Sequence, residues 1–364
     1  MSTSDRPTTP LGVRAVINAN ATVTVLGGSL MPPPVVQAMA DAATRFVDLP
    51  ELNVRVGERL AELTHNESAY VTSGAAAGIT LAIASCITTE SQAFPTDAEV
   101  VMFASQRNGY DYSARFLGVR IVEVGPSVEE LREALVRRPA CVLWMAGAHY
   151  AADALPIEEV VRVAQEMDGA ATPVIVDAAA QIPSVSSLWR FTRDVGADAV
   201  IVSGGKGLRG PQASGLVLGK AWLIDRIRNH SSPNHEIGRG MKVGKEELLG
   251  LLAAVEWTLQ QDEAEVLASY ERIVDNWIAD LSAIPGLMVE RGYPSEAGQP
   301  HSRAVLRLPG TRDEVIKKLW DGDPRIAVGT FGLPDDAIAL NPQTLQPGEA
   351  DLVLQALRTI LTSH

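Results

Sequence analysis

Short apolar runs alternate with amphipathic stretches through the first two thirds of the chain. Glu99–Phe103, Val119–Val124, Ala140–Met145, Val174–Val176 and Ala197–Val202 are short, apolar and β-branched, which predicts buried strands. Between them Tyr110–Leu117, Val128–Arg137 and Ile157–Met167 carry apolar residues at helical spacing. Upstream, Val35–Arg45 follows a proline run, and Glu51–Thr64 places Leu52, Val56, Leu60 and Leu63 on one helix face. Strands alternating with helices predict an α/β domain, a mostly parallel sheet with helices on both faces. Past two long helical stretches, Lys245–Gln261 and Glu263–Leu281, strands and helices alternate over about a hundred residues, predicting a smaller C-terminal α+β domain. The expected division is an N-terminal arm at 1–30, a large domain at 31–262 and a small one at 263–364.

In a parallel sheet, ligands bind beyond the carboxyl ends of the strands. Charged residues that close apolar runs therefore stand out. Lys206 sits in Ser203-Gly204-Gly205-Lys206-Gly207, between the apolar runs Ala199–Val202 and Ser214–Leu218. A partly buried lysine loses proton affinity, and its neutral amine attacks carbonyls. The flanking glycines would let the backbone come close to a ligand. Two readings fit equally on these residues alone: a Schiff-base lysine holding pyridoxal 5′-phosphate (PLP), or a lysine solvated in a hairpin turn. A Walker loop fits worse, because Gly207 stands where Ser or Thr should be.

The rest of the chain supplies the other parts that PLP needs. Asp177 ends the strand Val174–Val176 and can pair with a pyridinium nitrogen, though a helix cap is an equal reading. Ser73-Gly74-Ala75-Ala76 opens an apolar helix running to Ile87, a place for a phosphate, with Ser203 as a second contact; close packing of a buried helix explains the same small residues. Arg107, Tyr110 or His149 would cover the ring face. Gln181, four residues past Asp177, would reach the phenolic oxygen, unless it is a surface amide. His149 or Tyr150 would serve as a second base, or His149 is an ordinary loop histidine.

Composition narrows the partners. The chain has 364 residues, 46% hydrophobic, with formal net charge -13. That charge argues against a nucleic-acid partner and against an anionic membrane, but not against a small anionic substrate. Two cysteines, Cys86 and Cys141, lie in apolar runs, which predicts reduced core thiols. Six scattered histidines without HExxH or CxxC predict no metal site. Met1–Pro10 has no signal pattern, and no apolar span is long enough for a membrane helix, so a cytoplasmic location is expected.

The stretches LGGSLMPP (Leu26–Pro33), ELTHNESAYVTSGAAAG (Glu62–Gly78), QRNGYD (Gln106–Asp111), PVIVDAAAQ (Pro173–Gln181), SGGKGLRGPQASG (Ser203–Gly215) and SPNHEIGRGMKVGKEE (Ser232–Glu247) together resemble fold-type-I PLP enzymes. The resemblance is to the group related to selenocysteine synthase and D-glucosaminate-6-phosphate ammonia-lyase, and it covers most of residues 15–260. It implies a seven-stranded type of sheet and a homodimer or higher oligomer with shared active sites. It also implies Lys206 as the Schiff-base lysine, Asp177 as pyridinium partner, Ser73–Ala76 and Ser203 on the phosphate, Arg107 near the cofactor face, and Arg239 or Lys242 reaching a neighbouring site. The strongly acidic chain starts at the cofactor domain, which speaks against a tRNA substrate. Asn18-Ala19-Asn20-Ala21-Thr22 departs from the group's usual segment near the substrate, which implies a shifted substrate. The expected reaction, by family analogy, is elimination from a small β-substituted amino acid by a lyase. A racemase or epimerase is the alternative; an aldolase, an aminotransferase or a non-catalytic PLP-fold protein follow behind.

Overall fold

The computed structural model describes residues 11–88, 97–147, 150, 152–167 and 171–362. The chain divides into two units, residues up to Ser29 with Asp262 onward, and Leu30–Gln261.

The first strand, β1 (Val16–Ala19), belongs to the first unit. Seven strands then build the central sheet of the larger unit: β2 (Ser68–Thr72), β3 (Glu99–Phe103), β4 (Arg120–Val124), β5 (Cys141–Met145), β6 (Val174–Asp177), β7 (Ala199–Ser203) and β8 (Gly215–Gly219). Their order is β2-β8-β7-β6-β5-β3-β4. Every pairing is parallel except the two that β8 makes, with β2 and with β7. The mostly parallel α/β sheet read from the alternation is thus observed.

Successive residues of a strand face opposite sides of the sheet. Val101, Phe103, Val142, Trp144, Val200 and Val202 enter one core, under α2 (Leu49–Leu63) and the helices Val128–Val136, Ile157–Glu166 and Lys245–Leu259. Val100, Met102, Leu143, Ala199 and Ile201 enter the other, under α3 (Ala75–Ile87) and the helix Ala221–His230. Both faces being covered is why these strands read as continuous apolar runs. Each fully buried Val, Leu or Ile contributes about 1.5–3 kcal/mol.

Helix boundaries follow local chemistry. The helix α2 starts where the Asp48 carboxylate accepts the Glu51 N–H at 3.0 Å, with proline in the first turn. The helix expected over Tyr110–Leu117 is broken into a 3₁₀ turn, Gly109–Asp111, and a single α-turn, Tyr112–Arg115. Asn108 Oδ1 takes the Tyr110 N–H at 2.7 Å, a side-chain bond that competes with regular helix.

In the first unit β1 pairs in parallel with β11 (Arg325–Val328), while β9 (Met288–Gly292), β10 (Arg303–Arg307) and β12 (Ala337–Leu340) form an antiparallel sheet. The stretch set apart as an arm thus carries a strand of this unit. The helices Glu263–Leu281, Arg312–Asp321 and Glu349–Thr362 share one core around Trp277, whose indole N–H donates to the Ala350 carbonyl at 3.1 Å.

Candidate functional site

Strand register brings the candidate residues to one edge of the large sheet. Met145 lies opposite Asp177, and Asp177 opposite Ile201. Two residues on, Ser203 lies opposite Gly215, which itself faces Thr72 of β2. Asp177, Ser203 and the turn after Thr72 therefore share the carboxyl edge.

The Asp177 side chain is buried. Its Oδ1 accepts the Ala179 N–H at 2.9 Å, and its backbone carbonyl accepts the Ala146 N–H at 2.8 Å. Burial pushes the carboxyl above its usual range, while the Ala179 N–H and the charge of Lys206 pull it back. The helix-cap reading does not hold, because no helix starts here. A buried carboxylate with a cation as its counterpart suits a protonated ring nitrogen.

Lys206 is half-buried, with Nζ 5.9 Å from the centroid of the Tyr110 ring. Its turn is closed by Gly204 N–H to Ser214 O at 2.9 Å, Gly210 N–H to Gly204 O at 2.8 Å and Arg209 N–H to Lys206 O at 3.0 Å. The glycines have a different purpose from the one expected. A Cβ on Gly204 would stand 2.0 Å from Ser214 Oγ, on Gly205 2.6 Å from Gln212 Cα, and on Gly207 2.1 Å from the Ile182 carbonyl. They make room for the chain itself, letting the lysine turn pack against Ser214, Gln212 and Ile182.

The phosphate candidate is the start of α3. Gly74 has φ 145, which favours glycine, and the space beside its α-carbon is open. The Gly74 carbonyl accepts Thr72 Oγ1–H at 2.9 Å and the Gly78 N–H at 3.0 Å, leaving the first-turn N–H groups of a thirteen-residue helix at the carboxyl edge. Close packing is real too: a Cβ on Gly78 would lie 3.1 Å from both Ile201 and Val217, and one on Gly215 would lie 2.4 Å from the Gly74 carbonyl carbon. Ser73 and Ala75 are half-buried and Ala76 is exposed.

The other expected residues have neighbours of their own. Arg107 turns to acids of its own neighbourhood: Nε donates to Asp111 at 2.6 Å, and a terminal nitrogen pairs with Glu123 of β4. Gln181 Nε2 reaches the Ala146 carbonyl at 3.4 Å, so its amide lies within the site's wall. Arg239 and Lys242 are exposed on the loop after the helix Ala221–His230. His149 lies outside the described residues. Tyr150, next to it, is half-buried; burial raises its hydroxyl pKa, and the charges of Tyr110 and Asp177 raise it further. Both tyrosines thus belong to the neighbourhood of Asp177 and Lys206.

A half-buried lysine, a buried carboxylate and an open helix N-terminus on one edge of a largely parallel sheet fit the aldehyde, ring nitrogen and phosphate of PLP. The fold is that of fold-type-I PLP-dependent enzymes. No protein-family model matches the chain. It is similar to D-glucosaminate-6-phosphate ammonia lyase of Salmonella typhimurium, 34% identical over 96% of this chain and 96% of that protein. A solved structure of D-glucosaminate-6-phosphate ammonia-lyase superposes with TM-score 0.80 at 32% identity, covering 96% of each chain. It is also similar to a 5′-C-glycyluridine monooxygenase-decarboxylase of Streptomyces, 32% identical over 97% of this chain and 92% of the relative. The chain belongs to the D-glucosaminate-6-phosphate ammonia-lyase-like family of PLP-dependent enzymes. Among the described residues, no helix is long and apolar enough to cross a membrane.

Proposed function

We propose that the chain is a cytoplasmic PLP-dependent lyase that eliminates a β-substituent from a small amino acid, releasing a keto acid and ammonia. The observation that carries this reading is Asp177, buried and facing the charge of Lys206 beside the open start of α3. When bound, the cofactor supplies an electron sink for the pair left at Cα. Lys206 would hold the cofactor at its aldehyde and would take and return the Cα proton. Asp177 holds the ring nitrogen protonated, since its burial makes a positive partner worth more than it would be in water. The N–H groups at Gly74–Ala76, with Ser73 and Ser203, take the phosphate. Tyr110, whose ring centroid lies 5.9 Å from the Lys206 amine, would cover the ring face. Elimination of the β-substituent with uptake of one water would give the keto acid and ammonia.

A second reading comes from the monooxygenase-decarboxylase relative, nearly as similar as the lyase. There the bond broken at Cα is the one to the carboxylate, and oxygen is consumed. The racemase alternative needs a base on the opposite face. The Tyr150 hydroxyl, its pKa raised chiefly by burial, is the candidate for that base among the described residues, next to His149 in sequence. A homodimer, with the exposed Arg239 and Lys242 reaching the second copy's site, completes the proposal, and sedimentation of the loaded protein tests it.

The deciding experiment is an absorbance titration with PLP, then with a panel of L- and D-amino acids, while keto acid, ammonia, carbon dioxide and dissolved oxygen are followed. Ammonia with keto acid and no oxygen uptake supports the lyase. Carbon dioxide with oxygen uptake supports the second reading. A wild-type protein without a visible band in excess PLP refutes both.

A further inference from the structure

The β3–β5 pairing is short. Its register runs Val100 to Cys141 and Val101 to Val142, although β3 continues to Phe103 and β5 to Met145. Beyond Val101 the two strands part. This is also where the strand order reverses, because β4 lies to one side of β3 while β5 leads away through β6 to β7. Such a reversal opens a crevice at the carboxyl edge.

Parting strands leave backbone groups to be paired. Along β5 alternate residues point to alternate neighbours. Val142 N–H and, just past the strand, Ala146 N–H donate to the β6 side, to Pro173 O and Asp177 O, each at 2.8 Å. Met145 therefore points to the β3 side. There the Gln106 side chain takes the place of a strand: Met145 N–H donates to Gln106 Oε1 at 2.9 Å, and Gln106 Nε2 donates to Met145 O at 3.2 Å. Gln106 is fully buried, at 0% exposure.

Both loops that carry the site's tyrosines leave from this contact. After Gln106, Asn108 Nδ2 bonds the Gln106 carbonyl at 2.8 Å and Asn108 Oδ1 holds the Tyr110 N–H at 2.7 Å, bringing the Tyr110 ring to Lys206. After Met145, Gln181 holds the Ala146 carbonyl, and the chain goes on to Tyr150, in the field of Asp177. We propose that Gln106 is a positioning residue for the cofactor site: its amide fixes the gap between β3 and β5, and so sets Tyr110 and Tyr150 against Lys206 and Asp177. This rests on the PLP site proposed above. The amide is needed for both of its ends. Leucine fills the volume but strands the Met145 N–H and carbonyl, and glutamate turns a second oxygen toward that carbonyl.

The test compares full-length wild type, Gln106→Glu and Gln106→Leu. Three quantities are read: the PLP dissociation constant, the visible band with its pH midpoint at saturating PLP, and the thermal midpoint without PLP. Both variants are expected to bind PLP about tenfold more weakly, equivalent to about 1.4 kcal/mol, and to show a displaced band or pH midpoint even when saturated. Gln106→Glu carries the test if the leucine variant does not fold. Wild-type affinity and an unchanged band, with only a lower thermal midpoint, would reduce Gln106 to a packing residue and overturn the inference while leaving the PLP site standing. If the wild type itself takes up no PLP, both claims fall.

Discussion

Replacing Asp177 by asparagine separates the cost of a buried charge from its use. Without cofactor, burial raises the Asp177 pKa. A raised carboxyl contributes stability that is full below its unfolded value, about 3.9, and is lost as pH rises through the folded value. At neutral pH the ionised side chain therefore weighs against the fold. The substituted asparagine retains an oxygen for the Ala179 N–H, which lies 2.9 Å from the Asp177 carboxylate in the native chain. It carries no charge, so the cofactor-free variant is at least as stable as wild type at pH 7. That advantage vanishes below about pH 4. With cofactor the order reverses. At 100 times its dissociation constant PLP stabilises wild type by about 2.7 kcal/mol, which at about 2–4 °C per kcal/mol is about 5–11 °C for a unit of this size. Losing a buried charge partner costs about 3–5 kcal/mol, a weakening of about 10²-fold or more. At the same PLP concentration the variant then gains less than about 0.5 kcal/mol. Thermal melts of both proteins with and without PLP, from pH 4 to pH 8, measure the crossing. A variant that keeps the full PLP-dependent rise, or that is less stable than wild type without PLP at pH 7, would refute the reasoning.

Lys206→Ala should abolish the visible band and the mass adduct trapped by borohydride, while non-covalent PLP binding persists at reduced affinity; an adduct that survives points to another amine. Gly215→Ala drives a Cβ to 2.4 Å from the Gly74 carbonyl carbon and should cost about 1–3 kcal/mol by thermal melt. It should also weaken PLP more than pyridoxal, which lacks the phosphate. In Asp111, burial works to raise the carboxyl, but hydrogen bonds from Arg115 and Arg107 outweigh it and hold it low. Its stabilisation is present above the unfolded value and lost as pH falls through the folded one, so Asp111→Asn should cost about 1–2 kcal/mol in urea unfolding at pH 7, the arginines being partly exposed, and progressively less under acid. Asp262 accepts the Ala264 and Glu265 N–H groups at 3.0 and 3.2 Å; Asp262→Ala should cost about 1 kcal/mol in the same assay.

Part of the candidate site is legible in the sequence because its signals are local. A strand buried on both faces reads as an unbroken apolar run, so Asp177 and Lys206 at the ends of two such runs stand out by contrast. The small residues before α3 were legible for the same reason. What escaped depends on neighbours distant in sequence. The acid that Arg107 meets, Glu123, arrives through the pairing of Met102 with Glu123 on β4, a register no local pattern shows. The lysine-turn glycines looked like room for a ligand, because the Ile182 carbonyl that fills the space beside Gly207 comes from the loop after β6. Gln106 reads as one more polar residue after a strand until β3 and β5 are seen to part. Nor does any local pattern reveal that β8 runs against its neighbours, since that follows from its place between β2 and β7.

That antiparallel strand also sets a timetable. β8 is the piece that joins β2 to the rest of the sheet, and the lysine turn is the link that delivers it from β7. β2 leaves the ribosome about 147 residues before β8 does, which at about 5–20 residues per second is roughly 7–29 s with its edge unpaired. The sheet closes only once Lys206 has been made and the chain has turned back behind it. During synthesis the last seam of the sheet and the Lys206 turn are therefore completed together, and a nascent chain stopped before Gly215 should expose the β2 edge and, if the proposed site is right, hold no PLP.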